Sequence, residues 1–379
     1  MLLRADLNVP LVGGVVSDDY RIRATVPTIQ KLRAGGAAVV VCSHLGRPKD
    51  REPELRMDPV GDRLAEMGEF PVRKLDQVVG DDVDAAVGLA MPGDVILLEN
   101  TRFEAGETRN EPNLARRLAG PADLFVLDAF GSAHRAHAST VGVTEHLRSA
   151  AGPLLAAEVE AFDRLLQRAP RPFIVVIGGA KVSDKLAVMR NLLPEVDAML
   201  VGGGMCFTLL AAEGYDVGSS LVDEEMLGEV SEVLASEHGS KVNLPSDVVV
   251  ADRFAPDAAT RVVRVERIPD GFTGLDIGPE TAVRFARAIR GSRSLFWNGP
   301  MGVFEWERFR TGTASLVEAL AGYEGFSVVG GVDSVAALRM LGAADRISHV
   351  STGGGAGLEL LKGRTLPGLQ ALERWASGE

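Results

Sequence analysis

Nine short apolar runs constrain the fold of this chain more than any other feature of its sequence. A run that is nearly all apolar is typical of a strand buried on both faces of a parallel sheet. Segments with amphipathic helical spacing lie between many of the runs, at 158–168, 183–193, 224–237 and 279–289. The alternation predicts an α/β fold with parallel sheets flanked by helices. The runs read AAVVVCSH, DVILLEN, DLFVLDAF, FIVVIGG, AMLVGGG, DVVVAD, SLFWNGP, FSVVGG and HVSTGGG.

The length of the chain predicts two domains. Its 379 residues exceed the size at which a single hydrophobic core usually stops growing. The stretch GPLLAAEVEAFDRLLQ, residues 152–167, has a long helical pattern near the middle of the chain and is interpreted as a hinge helix between the domains. We therefore expect domains at 1–152 and 153–365.

Charge and hydropathy exclude several classes of partner. A net charge of −12 argues against a general attraction to nucleic acid or anionic lipid, so an anionic ligand must be held by local basic clusters. No stretch reaches the roughly 18 uninterrupted apolar residues of a membrane span, and the start has no secretory pattern. Cys42 and Cys206 lie in apolar runs, as buried, reduced thiols do. We expect a cytoplasmic protein without nucleic-acid or membrane partners.

The first half of the chain places basic residues beside turns at the ends of several predicted strands. A single arginine is usually a solvated surface charge, but four at strand ends favour a cationic pocket. Guanidinium groups bind phosphate and carboxylate through a planar fork, so a small ligand with both groups fits best. Asp6 and Asn8 could bind a substrate hydroxyl. The basic residues are Arg21, His44, Arg47, Arg102 and Arg135.

The second half carries glycine clusters at strand ends. Glycine lets backbone approach a phosphate closely, although a Gly-Gly pair is more often only a turn. The sequence has neither GxxxxGK[ST] nor GxGxxG, so another mode of nucleotide binding is required. Lys181 and Lys185 are predicted to reach one polyphosphate from a single helical face. Asp333 could hold a magnesium-nucleotide complex and Glu305 could accept hydrogen bonds from ribose.

Eight segments in order, spanning almost the whole chain, resemble the signatures of the phosphoglycerate kinase family. They read RADLNVP, SHLGRP, LLENTRF, DAFGSAHRAHAST, GGAKVSDK, GGGMCFTLL, WNGPMGVFE and HVSTGGGAGLELLKG. The resemblance implies two Rossmann-like domains, with residues 366–379 returning to the first. It implies a monomer that transfers a phosphoryl group reversibly between 1,3-bisphosphoglycerate and ADP, giving 3-phosphoglycerate and ATP in glycolysis and gluconeogenesis. It also implies Mg²⁺ bound with ATP or ADP, and closure about a hinge.

The resemblance also implies which residues form the site. Arg21 and Lys181 match the residues that flank the transferring phosphoryl group in the family, and Asp333 lies near magnesium. The implied substrate residues are Asp6, Leu7, Asn8, Arg21, His44, Leu45, Gly46, Arg47, Arg102 and Arg135. The implied nucleotide residues are Gly179, Lys185, Gly203, Gly274, Asn298, Glu305, Gly331, Val332, Asp333 and Ser334.

The chain departs from the family pattern at several points. The family usually has a lead-in before RADLNVP, a third glycine where Val332 stands, and a serine where Gly357 stands. A branched side chain at position 332 would alter nucleotide affinity if the backbone there requires a positive φ. These departures leave one alternative, a nucleotide-binding sensor or scaffold with weakened catalysis. Another two-domain small-metabolite kinase is a third alternative, against which DAFGSAHRAHAST and SHLGRP argue.

Overall fold

The computed structural model describes residues 1–377, and contacts divide the chain into two compact units. Unit 1 comprises Met1–Glu160 together with the C-terminal segment that starts at Thr365, and unit 2 comprises Ala161–Arg364. Both units are built on a parallel sheet flanked by helices, which confirms the predicted fold class.

Unit 1 contains a six-stranded parallel sheet. Its strands are β1 (Leu2–Ala5), β4 (Val39–Cys42), β5 (Arg73–Lys74), β6 (Val95–Leu97), β7 (Leu124–Asp128) and β8 (Arg148–Ala151), in the order β5-β6-β4-β1-β7-β8. A hairpin of β2 (Leu11–Val12) and β3 (Val15–Val16) precedes the first helix. The helices of this part of the chain are α1 (Tyr20–Ala34), α2 (Asp58–Gly68), α3 (Asp81–Gly88), α4 (Pro112–Ala119) and α5 (Pro153–Arg168).

The core of unit 1 forms where α1 and α2 cover the sheet. Ile22 and Ile29 of α1 pack with Leu3 of β1 and Val41 of β4, and all four side chains are completely buried. Full burial of each such side chain contributes about 1.5–3 kcal/mol. This packing fixes α1, whose first turn carries Arg21, against the strands that carry the other predicted substrate residues.

Unit 2 contains a second six-stranded parallel sheet. Its strands are β9 (Phe173–Ile177), β10 (Ala198–Val201), β11 (Val242–Asn243), β15 (Ser294–Asn298), β16 (Phe326–Gly330) and β17 (His349–Val350), in the order β11-β10-β9-β15-β16-β17. The helices are α6 (Leu186–Leu192), α7 (Met205–Ala212), α8 (Leu227–Ala235), α9 (Pro279–Gly291), α10 (Thr311–Ala319), α11 (Val332–Met340) and α12 (Gly355–Leu361). The predicted helix at 183–193 therefore begins later than expected.

A small antiparallel sheet in unit 2 corrects one strand prediction. The run DVVVAD was expected to join a parallel sheet, but β12 (Asp247–Ala251) lies between β13 (Thr260–Arg264) and β14 (Thr273–Ile277) and is antiparallel to both. The connection at 252–259 is too short for the crossover of about a dozen or more residues that a parallel pair requires. The mostly exposed, charged strand β13 gave no apolar run that would have signalled this pairing.

The predicted long helix at 152–167 is present as α5, and the division between the units falls within it. The C-terminal segment forms α13 (Pro367–Ser377), in which Gly368 N donates a hydrogen bond to Ala133 O at 2.9 Å in unit 1. Of the predicted return at 366–379, residues 378–379 lie outside the described residues. Cys42 and Cys206 are buried free thiols, as predicted. Among residues 1–377, no helix combines the length and apolarity that crossing a bilayer requires.

Candidate active site

The predicted substrate residues of unit 1 lie at the carboxyl ends of four adjacent parallel strands. These strands are β6, β4, β1 and β7, and their ends meet at one edge of the sheet. The turn at 6–8 follows β1, the turn at 44–47 follows β4, Arg102 follows β6, and Arg135 comes after the turn that ends β7. The topology therefore gathers residues that are far apart in sequence.

The turn at 44–47 is held by the turns on both sides of it. Gly46 N donates to Asn8 Oδ1 at 2.8 Å, and Gly46 O accepts from Arg102 Nη1 at 2.5 Å. Gly46 has a φ of +64°, a conformation that favours glycine. Leu45 is buried, whereas Arg47 is exposed. The turn thus presents Arg47 to solvent and uses Leu45 as its anchor.

Arg21 lies in the first turn of α1, beside the turn that follows β1. Its Nη1 donates to Asn8 O at 2.8 Å and lies 3.4 Å from Asp6 Oδ1. Asp6 is buried, while the Arg21 side chain is only 23% exposed. Asp6 and Asn8 therefore direct Arg21, and Leu7 between them is a core residue whose backbone N donates to Ser43 Oγ.

The arginines of this edge repel one another. Burial, and then the charges of Arg135, Arg4 and Arg47, lower the pKa of Arg102 to about 10. Burial and then Arg47 also lower the pKa of Arg135. The Nε of Arg102 is buried and has no hydrogen-bond partner among the described residues. Such positive charge is stabilised by an anion that accepts from several guanidinium groups at once.

Arg4 is a buried residue of this site that the sequence reasoning missed. Its side chain is almost completely buried under the turn at 44–47, and Ser139 Oγ accepts from its Nε at 2.8 Å. Ser139 Oγ in turn donates to the buried Glu107 Oε1 at 2.5 Å, which connects a buried cation to a buried anion. The signal was available, because an arginine inside the apolar strand LLRA must be buried and therefore partnered. The other partners of Arg4 are Ala5 O, Ser43 Oγ, His44 Nδ1 and Ser132 Oγ.

His44 is held neutral by its surroundings. Burial, followed by the charges of Arg4 and Arg102, lowers its pKa well below the usual value. Arg4 Nη2 lies 3.0 Å from His44 Nδ1, so Nδ1 is the acceptor and the remaining ring proton is on Nε2. A neutral imidazole with its proton on Nε2 is a hydrogen-bond donor to an anion, not a second cation.

We expect the pKa of His44 to lie well below that of an ordinary histidine, as followed by its Cε1–H resonance in a ¹H–¹³C NMR titration. Because the pKa of His44 falls on folding, its imidazole binds a proton below about pH 6.5 in the unfolded chain but not in the folded chain. The stability contributed by this residue is therefore complete above pH 6.5 and declines as the pH falls. A titration midpoint between pH 6 and 7 would contradict this prediction.

Three glycine turns in unit 2 pack against one another at the carboxyl ends of β9, β10 and β15. Gly178 N donates to Asn298 O at 3.0 Å, and Gly203 N donates to Met301 O at 2.9 Å. A Cβ on Gly299 would overlap the backbone of Gly178, and a Cβ on Gly203 would lie 2.6 Å from Gly179 N. Most of these glycines are therefore required by backbone packing. Gly179 differs, because it has a φ of +112° and open space around its Cα.

The prediction that Lys181 and Lys185 share a helical face is wrong. Helix α6 begins at Leu186, so Lys181 lies in the irregular segment before it and is exposed. The buried Val182 follows the glycine turn after β9, and its O accepts hydrogen bonds from Lys185 N and Leu186 N. Lys185 is half-buried and its Nζ donates to Asn298 Oδ1. Burial lowers the pKa of Lys185, and Asp184 and Asp333 oppose this effect.

The turn at 331–334 begins helix α11. The positive φ belongs to Gly331, at +94°, whereas Val332 is the first helical residue and is 74% exposed. The valine therefore causes no backbone strain at this turn. Ser334 is buried and its Oγ accepts from Gly299 N at 2.5 Å, while Asp333 is exposed in the first turn of the helix.

The remaining predicted nucleotide residues lie beside the small antiparallel sheet. Gly274 is buried in β14, where a Cβ would overlap the ring of Phe207 from α7. Glu305 is exposed on the loop after β15, next to Trp306, which packs on Phe254 with ring centroids 4.6 Å apart. At the other departure from the family pattern, a Cβ on Gly357 would lie 2.6 Å from Phe162 Cζ, so the glycine makes room for that ring.

The unit 2 residues fit a magnesium ion that arrives with a nucleotide. Within residues 1–377, no group of three or more His, Cys, Asp or Glu side chains is arranged to hold a metal by itself. Magnesium is often bound by one or two carboxylates together with substrate phosphates and waters. Asp333 is one exposed carboxylate whose charge acts on Lys185, so cation and anion ligands lie close together.

Comparisons with known proteins show what the chain is similar to. A model of the phosphoglycerate kinase family matches residues 1–364. The chain is 51% identical over 375 residues to the phosphoglycerate kinase of Moorella thermoacetica, with 98% of this chain and 95% of the relative covered. It is 54% identical over 373 residues to that of Rubrobacter xylanophilus, with the same coverage.

Solved structures give the same result. The phosphoglycerate kinase from Coxiella burnetii superposes with a TM-score of 0.86 and 40% identity, covering 99% of this chain and 96% of that one. The phosphoglycerate kinase from Pyrococcus horikoshii gives a TM-score of 0.89 and 30% identity, covering 100% and 96%. The likeness extends over both units.

Proposed function

Since the chain belongs to the phosphoglycerate kinase family, we propose that its reaction, the reversible transfer of a phosphoryl group between 1,3-bisphosphoglycerate and ADP, uses a substrate half-site on unit 1 and a nucleotide half-site on unit 2. The chain is a phosphotransferase of glycolysis and gluconeogenesis. Its relatives are named as kinases over nearly their whole length, so the alternative of a sensor or scaffold is not supported.

The substrate half-site rests on the arginines at the strand ends of unit 1. Arg102 and Arg135 have depressed pKa values, and the Arg102 Nε lacks a protein partner among residues 1–377. A doubly anionic ligand such as 3-phosphoglycerate supplies the missing acceptors. The neutral His44 donates from Nε2, and Asp6 and Asn8 orient Arg21. This excess of positive charge in the free protein is the observation that carries the substrate assignment.

The nucleotide half-site is proposed at the glycine turns of unit 2. Gly179 leaves open space where a phosphate can approach backbone, and Lys185 places a half-buried ammonium beside Asn298. Magnesium bound with the nucleotide, near Asp333, would neutralise phosphate charge as it develops. Gly274 and Glu305 flank the region of the small sheet where the nucleoside would lie.

The chemistry requires no general base. The acceptor in the reverse direction is the carboxylate of 3-phosphoglycerate, which is already ionised near pH 7 because its unperturbed pKa is about 4 or below. Catalysis then consists of alignment and of positive charge on the equatorial oxygens of the transferring group. Arg21 supplies this charge from unit 1 and Lys181 supplies it from unit 2. The exposure of Lys181 leaves its ammonium free to contact the phosphoryl group.

The two half-sites are on different units, so transfer requires closure about a hinge to bring the reacting oxygens to roughly 3 Å. Closure also removes water, which would otherwise compete for the phosphoryl group. The domains at 1–152 with 366–379 and at 153–365 are proposed as the closing bodies. We also propose a monomer, because each half-site is built from residues of this one chain, and a cytoplasmic location, because Cys42 and Cys206 are free thiols.

Binding of each substrate alone tests the assignment of the half-sites. Loss of one charge-assisted hydrogen bond raises the dissociation constant by a factor of about 10 to 100. Arg102→Met should weaken 3-phosphoglycerate binding by this factor and leave MgADP binding unchanged in isothermal titration calorimetry. Lys185→Met should do the reverse. The proposed division of the site would be contradicted if each variant lost affinity for both ligands equally. It would also be contradicted if neither variant lost affinity for either ligand.

A further inference from the structure

Asn100 is a buried amide at the centre of the substrate edge of unit 1, three residues after the end of β6. It is completely buried, and its side chain uses every hydrogen-bonding position that an amide has. The Oδ1 atom accepts from Leu45 N and from Arg102 N, each at 3.1 Å. The Nδ2 group donates to Leu45 O at 2.8 Å and to Leu55 O at 2.9 Å.

These four bonds join two turns that the parallel ladder no longer connects. The backbone pairing of β4 with β6 continues as far as Leu98 N, which donates to Val41 O at 2.9 Å, and Thr101 N donates to Ser43 O at 3.0 Å. Beyond these bonds the Asn100 side chain takes the place of a strand. It holds both the N–H and the C=O of Leu45, so the peptide planes on either side of Leu45 are fixed.

The residues adjoining Leu45 and Asn100 are those of the substrate half-site. Leu45 lies between His44 and Gly46, and Gly46 O accepts from Arg102 Nη1. Asn100 therefore fixes the orientation of the turn that carries His44 and the position of the backbone N of Arg102. If Asn100 had only a structural role, any hydrogen-bond partners for its buried amide would be sufficient. Its partners instead lie in the two turns that carry anion-binding side chains.

We propose that Asn100 is a positioning residue that sets the affinity of unit 1 for 3-phosphoglycerate by holding the turn at 44–47 and Arg102 in register. The inference rests on the proposed function, because it assigns the anion site to these turns. Asn100 does not touch substrate and acts through the residues that it holds.

The test uses Asn100→Asp and Asn100→Ser in the full-length chain. The aspartate keeps the shape but loses both donors, so Leu45 O and Leu55 O face a carboxylate oxygen, and it also adds a negative charge. The serine shortens the side chain without adding charge, which separates geometry from electrostatics. For both variants we expect the dissociation constant for 3-phosphoglycerate to rise at least about tenfold, because the turn at 44–47 and Arg102 then have to be ordered when the anion binds, and this ordering opposes binding.

The dissociation constant for MgADP, measured on the same samples, should stay within about twofold, since its half-site is on the other unit. In steady state, the KM for 3-phosphoglycerate should rise more than kcat falls. Val83→Ala in α3, a buried truncation on a helix that holds none of the hydrogen-bond partners of Asn100, controls for general destabilisation and should leave both dissociation constants unchanged.

Three outcomes are informative. Wild-type 3-phosphoglycerate affinity in folded Asn100→Asp and Asn100→Ser, together with weakened binding in Arg102→Met, would overturn the role of Asn100 while leaving the half-site intact. Wild-type affinity in Arg102→Met as well would overturn the half-site itself. An equal loss in Val83→Ala would show that the effect is general destabilisation and would also overturn the role of Asn100.

Discussion

Arg21→Ala is expected to lower kcat by about a hundred- to a thousandfold, the usual loss when one preorganised donor to a transition-state oxygen is removed. The guanidinium of Arg21 is already directed by Asn8 O at 2.8 Å and Asp6 Oδ1 at 3.4 Å, so it needs no reorganisation when the phosphoryl group arrives. Because the contacts are polar and lie at the edge of the core, the fold should persist. Steady-state rates at saturating substrates and the far-UV circular dichroism spectrum measure the two effects.

Arg23→Ala is the matched control for this variant. Arg23 lies on the same helix, two residues further on, with a side chain that is 66% exposed and pairs with Asp19. Its removal changes the net charge by the same amount and should leave kcat within about twofold, as surface pairs contribute little. Near-normal turnover in Arg21→Ala, or an equal loss in Arg23→Ala, would remove Arg21 from the mechanism.

Lys181→Met is expected to lower kcat by a similar factor of about a hundred to a thousand, with a smaller change in the KM for MgATP. Lys181 is exposed just after β9 and outside helix α6, so its ammonium is not used to support the fold. An interaction made only as charge develops on the phosphoryl group lowers kcat when it is lost. Lys185→Met should differ, because Lys185 is tied to Asn298 and its loss should act on nucleotide binding.

Arg190→Met controls for the loss of a cation near this segment. Arg190 lies in α6, where it pairs with Glu229 and Glu232 on the surface at 3.2 Å each. We expect its kcat and KM values to match those of the wild type. If Lys181→Met lost nucleotide affinity and retained kcat, Lys181 would be a binding residue and the proposed division of labour between the two lysines would fail.

The sequence was most informative where burial is strongest. Each of the nine apolar runs contains a strand, because a segment buried on both faces must be apolar throughout. Strands with mostly exposed side chains and no apolar run escaped this reasoning. Strand β13, with the mostly exposed sequence TRVVR, carries two arginines, so no apolar run marked it.

Site residues could be predicted where a polar or charged side chain stands in a turn after a strand, and they were missed where the side chain lies within a strand or supports a turn from below. Arg102 was found because an arginine soon after a strand end is visible in one dimension, whereas Arg21, which was also expected beside a strand end, lies in the first turn of helix α1. Arg4 and Asn100 depend on partners 135 and 55 residues away, at Ser139 and Leu45, and such pairings exist only after the sheet has formed. The single helical face proposed for Lys181 and Lys185 failed because spacing alone does not reveal where a helix begins.

The interlocked glycine turns of unit 2 limit which substitutions the proposed nucleotide half-site can accept. At Gly299 and Gly203 even a methyl group meets main-chain atoms, which cannot rotate away as a side chain can. Substitutions that change nucleotide preference are therefore expected at exposed positions around these turns, such as Val332 and Glu305. The glycine turns therefore tolerate few substitutions, whereas the exposed positions around them tolerate many.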